Sequence, residues 1–123
     1  MAMKSIVREA LDVFVCVEGR MSHVNMEDII YVEHNSRTIF LYTVKGILYI
    51  PYTPLSEVQR VLGGDYLFQC HKSYLVNRIY IERIDRTENF ILLKDYLGTV
   101  AVGRKYKRGV LQKMHYVGAD QEG

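Results

Sequence analysis

Short runs of β-branched and aromatic residues recur along the chain, and polar turn signals separate them about every eight to twelve residues. Residues 13–17 and 21–25 form one pair of strand-like runs, and residues 38–44 and 47–50 form another. The link Lys45-Gly46 predicts a hairpin in the second pair, although lysine is unusual where a hairpin turn requires positive φ. This spacing predicts a mainly β fold, an all-β sandwich or barrel with short helices.

Two short helices are predicted within this β pattern. The first starts after Thr53, a threonine N-cap that precedes Pro54 at the first helical position. Its apolar residues recur at i, i+3 and i+7, and Gly63-Gly64 supplies a left-handed stop; these residues are Leu55, Val58 and Leu62. The second helix follows Gly103. Its apolar face consists of Tyr106, Val110, Leu111 and Met114, with Lys107 and Arg108 on the exposed side.

The length of 123 residues fits one domain with its own core, and a charged fraction of 24% is typical of a globular protein. We expect residues 1–11 to be a linker or N-terminal extension, residues 12–117 to form the domain and residues 118–123 to be a C-terminal tail. No apolar run approaches the roughly 20 residues that cross a bilayer, and the N-terminus has no secretory apolar core. The expected location is the cytoplasm, without a membrane partner.

A compact polar group, His71-Lys72-Ser73, interrupts the strand-like stretch 68–77. His71 and Ser73 invite comparison with a catalytic pair, but no neighbouring carboxylate is placed to orient the imidazole, so we do not expect an enzyme. The histidines and the two cysteines lack metal-ligand spacing, and we expect no metal, no cofactor and no small-molecule substrate. Cys16 and Cys70 are expected to be reduced.

The positive charges are unevenly distributed, although the formal net charge is only +2. No acidic residue occurs between Tyr96 and Ala119, and basic residues cluster there at positions 104, 105, 107, 108 and 113. Lys72 lies in the polar break, Arg37 in a loop rich in Asn and Ser, and Arg104 after a predicted strand. Cations at three loops of one β domain favour contact with the phosphates and base edges of a nucleic acid.

Two motifs give a more specific indication than the charge. The run from Phe68 to Asn77, with Ile81 and Ile84 after it, and the segment Val102-Gly103-Arg104-Lys105-Tyr106 resemble the LytTR DNA-binding domain of bacterial LytR/AgrA-type response regulators. The resemblance covers about residues 12–115. It implies a mainly β fold of packed small antiparallel sheets, with one short helix after Thr53 and a short C-terminal helix.

The resemblance also implies how the domain acts. Members of this family lack a recognition helix; they insert loops into two successive major grooves and the intervening minor groove, at direct-repeat promoter sites that they bend. The implied function is therefore a sequence-specific DNA-binding transcriptional regulator, the output domain of a two-component system. A receiver domain or sensor partner outside this chain is possible, so the chain is either an excised domain or a free-standing regulator.

Carried over by motif, Lys72 and Arg104 are expected to contact bases, as is Arg37 in the variable third contact loop. The expected phosphate contacts are Asn35, Ser36, Lys105, Lys107 and Arg108. His71, Ser73 and Asn77 are expected to hold the backbone of the motif in shape. Gly103 departs from the family pattern, which often has a small hydroxyl residue there.

An alternative function stays open from the sequence. The low net charge and the absence of a receiver module are also compatible with a protein-interaction or antagonist module that has the same fold but does not bind DNA specifically. Affinity for DNA that falls steeply as salt rises distinguishes the two hypotheses.

Overall fold

The computed structural model describes residues 5–114, which form three antiparallel sheets. The first sheet has the strands β1, β2 and β3, in that spatial order; they span Ile6–Glu9, Asp12–Val17 and Arg20–Asn25. The predicted pairing of the runs 13–17 and 21–25 is confirmed, because β2 pairs with β3. Residues 6–9, which the sequence pattern placed in an extension, form β1, and Ile6 is buried.

The central sheet has five strands in the order β6-β5-β4-β8-β7. Along the chain these are β4, β5, β6, β7 and β8, at Ile29–Asn35, Thr38–Thr43, Gly46–Pro51, Leu67–His71 and Tyr74–Asn77. The third sheet has the order β11-β10-β9, with β9, β10 and β11 at Ile81–Asp85, Phe90–Leu93 and Thr99–Ala101. Short 3-10 helices at Met26–Asp28, Arg78–Tyr80, Lys94–Tyr96 and Arg104–Tyr106 connect these elements.

Successive side chains of the central strands point to opposite faces of the sheet, and both faces carry buried apolar residues. One face packs on the first sheet and on helix α1, Leu55–Leu62, through a cluster that includes Val32, Leu41 and Leu75. The other face packs on the third sheet and on helix α2, Lys107–Lys113, through a cluster that includes Phe68 and Val76. The predicted mainly β fold of small packed antiparallel sheets with two short helices is therefore confirmed for the described residues.

The ends of α1 differ from the sequence prediction. Pro54, not Thr53, is the N-cap, and no side chain caps the helix. Thr53 is buried, and its hydroxyl instead donates to the carbonyl of Pro51 at 3.2 Å. The predicted left-handed stop is also wrong, because Gly63 has φ −65° and ψ 147°. A glycine is needed there for another reason: a Cβ on Gly63 would collide with the backbone carbonyl of Gln59.

The β5–β6 hairpin forms where it was predicted, but the lysine of its turn does not have the positive φ that was expected. Thr43 pairs with Gly46, so Val44 and Lys45 occupy the turn. Gly46 has φ 137°, whereas Lys45 has no positive φ. The lysine that made the sequence signal unusual is therefore unstrained.

Helix α2 buries Val110, as its apolar pattern predicts. Lys107, predicted to lie on the exposed side of this helix, is half-buried, and its ammonium donates to the carbonyl of Arg86 at 2.7 Å. Cys16 and Cys70 are free thiols, and burial raises the pKa of Cys70 to about 12. No helix within residues 5–114 has the length and apolarity that crossing a bilayer requires.

Candidate nucleic-acid interface

The β4–β5 and β7–β8 turns lie at the same end of the central sheet, hereafter the contact end. Glu33 on β4 pairs with Tyr74 on β8, and the N–H of His34 donates to the carbonyl of Ser73 at 2.9 Å. The antiparallel register therefore places residues 36–37 beside residues 72–73. In this way Arg37 and Lys72, which are distant in sequence, reach one edge of the fold.

Arg104 reaches the same end through the free side of β7. The N–H of Gly103 donates to the carbonyl of Cys70 at 2.9 Å, one residue before the end of that strand. Neighbouring strands lie roughly 4.8 Å apart, so the turn backbones of Arg37 and Lys72 are separated by about 10 Å and those of Arg37 and Arg104 by about 17 Å. Lys72 therefore lies between the two arginines.

The β4–β5 turn is strained. Ser36 and Arg37 have φ values of 51° and 64°, which correspond to a type I′ turn made without glycine. The hydroxyl of Ser36 donates to Oδ1 of Asn35 at 3.1 Å, and that of Thr38 donates to the carbonyl of Ser36 at 3.4 Å. These short local bonds hold the turn, and the side chain of Arg37 is exposed.

The β7–β8 turn is organised by His71. Its Nδ1 accepts from the backbone N–H of Ser73 at 3.1 Å, and its ring centroid lies 5.1 Å from that of Tyr74. The amide of Gln69 donates to the carbonyl of His71 at 3.1 Å. Desolvation, and then the charge of Lys72, lower the pKa of His71, which favours the neutral ring that accepts this bond. Lys72 itself is exposed.

Asn77 lies at the opposite end of the central sheet, hereafter the far end, and is 2% exposed. Its Nδ2 donates to the carbonyl of Ile29 at 2.8 Å and to that of Met26 at 3.4 Å. Its Oδ1 accepts from the N–H of Ile79 at 3.1 Å and so caps the 3-10 helix Arg78–Tyr80. Asn77 therefore joins β8 to the start of β4, far from Lys72.

The C-terminal basic residues divide into two groups. Arg104, Lys105 and Arg108 are exposed at the contact end, whereas Lys107 is bonded to the β9–β10 turn. Lys113, part of the same sequence cluster, forms an ion pair with Asp65 at 2.9 Å. Gly103 fits closely, because a Cβ there would lie 3.1 Å from Cδ2 of Tyr106.

Cations at the contact end are not neutralised within the described part of the chain. None of Arg37, Lys72, Arg104, Lys105 and Arg108 forms an ion pair with another residue between 5 and 114. Residues 5–114 contain no group of three or more His, Cys, Asp or Glu side chains that could hold a metal ion. The surface therefore presents positive charge to an anionic partner.

One exposed aromatic residue at the contact end was not predicted. Tyr52 follows β6, is 85% exposed and donates its N–H to the carbonyl of Arg37 at 2.7 Å. The only sequence signal is its place between Pro51 and Pro54, which indicates an irregular backbone but no role for the ring.

Within residues 5–114, small β-sheets expose cations on turns at one end, an arrangement typical of a β domain that contacts nucleic acid through its loops. The family model described as the LytTr DNA-binding domain matches residues 19–115. The chain therefore belongs to the LytTR family of DNA-binding domains.

A solved structure gives independent support for the fold. The LytTr DNA-binding domain of a putative methyl-accepting/DNA response regulator from Bacillus cereus superposes with a TM-score of 0.68 at 21% identity. The match covers 91% of this chain and 98% of that chain. Comparison with curated proteins gave no match.

Proposed function

We propose that this domain is the sequence-specific output module of a transcriptional regulator of the LytR/AgrA type, and that it binds duplex DNA through the contact end. The observation that carries the proposal is the convergence of Arg37, Lys72 and Arg104 on that end by strand register. Family membership supplies the DNA partner. A cytoplasmic location and a receiver or sensor partner follow from the same proposal.

The three central cations read bases in this proposal. Arginine and lysine can donate two hydrogen bonds to O6 and N7 of guanine in the major groove. Arg37 and Arg104 are the outer pair and donate to O6 and N7 of guanine in successive major grooves. Lys72 lies between them over the intervening minor groove, where it donates to the acceptors that the bases present there, N3 of adenine and O2 of thymine. Asn35, Ser36, Lys105 and Arg108 contact phosphates and fix the orientation of the domain. Lys107 joins them through the ammonium protons that are not used in its bond to the carbonyl of Arg86.

The span of the contact end bears on the shape of the bound DNA. Successive major grooves lie about 34 Å apart on one face of straight B-DNA, roughly twice the backbone span from Arg37 to Arg104. Long arginine side chains that splay outward cover part of the difference. Bending the duplex toward the protein covers the rest, at a cost on the order of 1 to 6 kcal/mol that additional phosphate contacts offset. We therefore propose that the domain bends its direct-repeat sites.

The proposal is tested by anisotropy titration with a labelled random-sequence duplex at about 50 mM and about 200 mM salt, followed by selection of a preferred site from a random library. The expected result is affinity that falls steeply with salt, with enrichment of a defined sequence. Absence of binding at the lower salt concentration would overturn the DNA-binding proposal and favour the protein-interaction module.

Variants separate base reading from phosphate contact in the same titration. Arg104→Ala is expected to cost about 1 to 3 kcal/mol on the selected site and little on random DNA. Lys105→Ala, its exposed neighbour, is expected to weaken both duplexes alike and to reduce the salt slope by about 1. Lys94→Ala, the same charge change at the other end of the third sheet, serves as the control. Equal losses on both duplexes for Arg104→Ala would exclude a base-reading role.

A further inference from the structure

Tyr52 occupies a conformation that its sequence neighbourhood does not require. Its φ is 56°, in the left-handed region that a tyrosine adopts at a cost, and its side chain is 85% exposed. The next residue, Thr53, is buried and bonded to the carbonyl of Pro51, so the backbone is fixed on that side. On the other side, Pro51 pairs with Thr38 at the edge of the central sheet. Both anchors hold the ring outward at the contact end.

Three strained residues meet at this point. Tyr52 donates its N–H to the carbonyl of Arg37 at 2.7 Å, and Ser36 and Arg37 are themselves left-handed, with φ values of 51° and 64°. Glycine would adopt any of these conformations without a Cβ penalty. Left-handed non-glycine residues also occur in other turns, among them that of Tyr96. This point differs because the hydrogen bond from Tyr52 to Arg37 joins strained residues of two separate turns, and strain retained in linked segments is found at binding sites.

The ring of Tyr52 also borders a shallow cavity beside Arg37. The cavity has a volume of about 290 Å³ and is lined by His34, Arg37, Tyr52, Thr53 and Pro54. The lining is mainly apolar, which suits a sugar face, and two of the residues that border it, Arg37 and Tyr52, carry a positive charge and a neutral hydroxyl donor. A deoxyribose with its phosphate combines the groups that this surface complements: an apolar sugar face and an anion that accepts hydrogen bonds.

We propose that Tyr52 is a further DNA-contacting residue, which packs its ring on a deoxyribose and donates its hydroxyl to the adjoining phosphate, next to the nucleotides reached by Arg37. This inference rests on the proposed function and adds a neutral contact to its set of cations. Tyrosine hydroxyls are among the side-chain groups that bind DNA phosphates and set the register of a protein on the duplex.

A neutral phosphate contact has a distinctive thermodynamic signature. A cation that neutralises a phosphate releases a counterion, so its removal reduces the dependence of affinity on salt. Tyr52 carries no charge and releases no counterion. Its removal therefore lowers affinity at every salt concentration by the same factor, and it does so on random and selected sequences alike because the sugar and phosphate carry no sequence information.

The test uses the random-sequence duplex, so no knowledge of the operator is required. Tyr52→Ala is expected to weaken binding about tenfold and Tyr52→Phe about fivefold, in each case with an unchanged salt slope. Tyr96→Ala is the matched control, since Tyr96 is fully exposed, has φ 59° and follows β10 at the end of the third sheet away from Arg104. This control is expected to bind like the wild type.

Each outcome decides the proposal. Because the ring of Tyr52 is exposed, neither variant removes buried contacts, and Tyr52→Phe keeps the ring if the alanine variant folds poorly. Wild-type binding of both Tyr52 variants would overturn the role of Tyr52 and leave the proposed function intact. A changed salt slope for Tyr52→Ala would also overturn the proposed role of Tyr52. It would mean that the substitution had removed a phosphate contact made by a charged side chain of the protein, with its release of counterions. If the wild type itself fails to bind DNA, the proposed function fails, and this inference fails with it.

Discussion

The far end and the contact end of the central sheet use polar side chains in opposite ways. At the far end, Asn77 is buried and bonds both the start of β4 and the 3-10 helix after β8. At the contact end, Arg37 and Lys72 are exposed, and the turns that carry them are held by their own neighbours. The first arrangement stabilises the fold, whereas the second presents side chains to a partner.

Backbone strain follows the same division. Ser36, Arg37 and Tyr52 are left-handed at the contact end without glycine. At the far end, Asn77 has φ −89° and ψ 122°, an ordinary extended conformation. Within the central sheet and its turns, the left-handed non-glycine residues therefore lie at the contact end, where exposed side chains are available for binding.

The comparison is tested most strongly by Asn77→Ala. Removing the amide leaves the carbonyl of Ile29 and the N–H of Ile79 without the bonds that they now make. The expected loss is about 3 kcal/mol of unfolding free energy, measured by urea denaturation. Asn35→Ala removes only the solvent-exposed bond from the hydroxyl of Ser36, which water can replace, so it is expected to change stability by less than about 0.5 kcal/mol. A loss below about 1 kcal/mol for Asn77→Ala would contradict the structural role of the far end.

Arg37→Gly sharpens the comparison, since stability and binding are expected to move in opposite directions. Glycine at φ 64° relieves the left-handed strain, so the unfolding free energy is expected to rise by about 1 kcal/mol while affinity for DNA falls. Urea denaturation and the anisotropy titration measure the two effects. Ser36→Gly is the control, with a similar gain in stability and a smaller loss of affinity. A less stable Arg37→Gly variant would show that the side chain of Arg37, and not strain, dominates this turn.

The smallest expected effect concerns His71 and pH. Desolvation, followed by the charge of Lys72, lowers the pKa of His71 below its ordinary value of 6.5. The unfolded chain therefore binds more protons than the folded chain between that lowered pKa and 6.5. Stability contributed by the neutral ring is present above pH 6.5 and is lost as pH falls through the folded pKa.

Urea denaturation of the wild type and of His71→Gln at about pH 8 and about pH 5 isolates this contribution. The wild type is expected to lose more stability on acidification than the variant, because the glutamine has no proton to gain. Identical pH dependence in the two proteins would show that the neutral ring of His71 does not stabilise the β7–β8 turn.

Local patterns accounted for the elements of the fold well. The hairpins, the β content and the two helices follow from alternation, turn residues and the apolar spacing of α1, which are properties of neighbouring residues. Two of the errors occurred where a distant residue contributes. The hydroxyl of Thr53, which was expected to cap α1, lies 3.3 Å from the hydroxyl of Ser5, and the ammonium of Lys107 reaches the carbonyl of Arg86.

The candidate interface divides in the same way. The sequence determined that Lys72 lies in a polar break, that Arg37 lies in a loop between two strands and that Arg104 follows a strand. Only the tertiary structure decided that the three lie along one end with Lys72 in the middle, and that Tyr52 stands beside Arg37. The reason is register: β4 and β8 are far apart in sequence, and their pairing is set by burial of Val32 opposite Leu75 in a shared core. No local pattern contains that information.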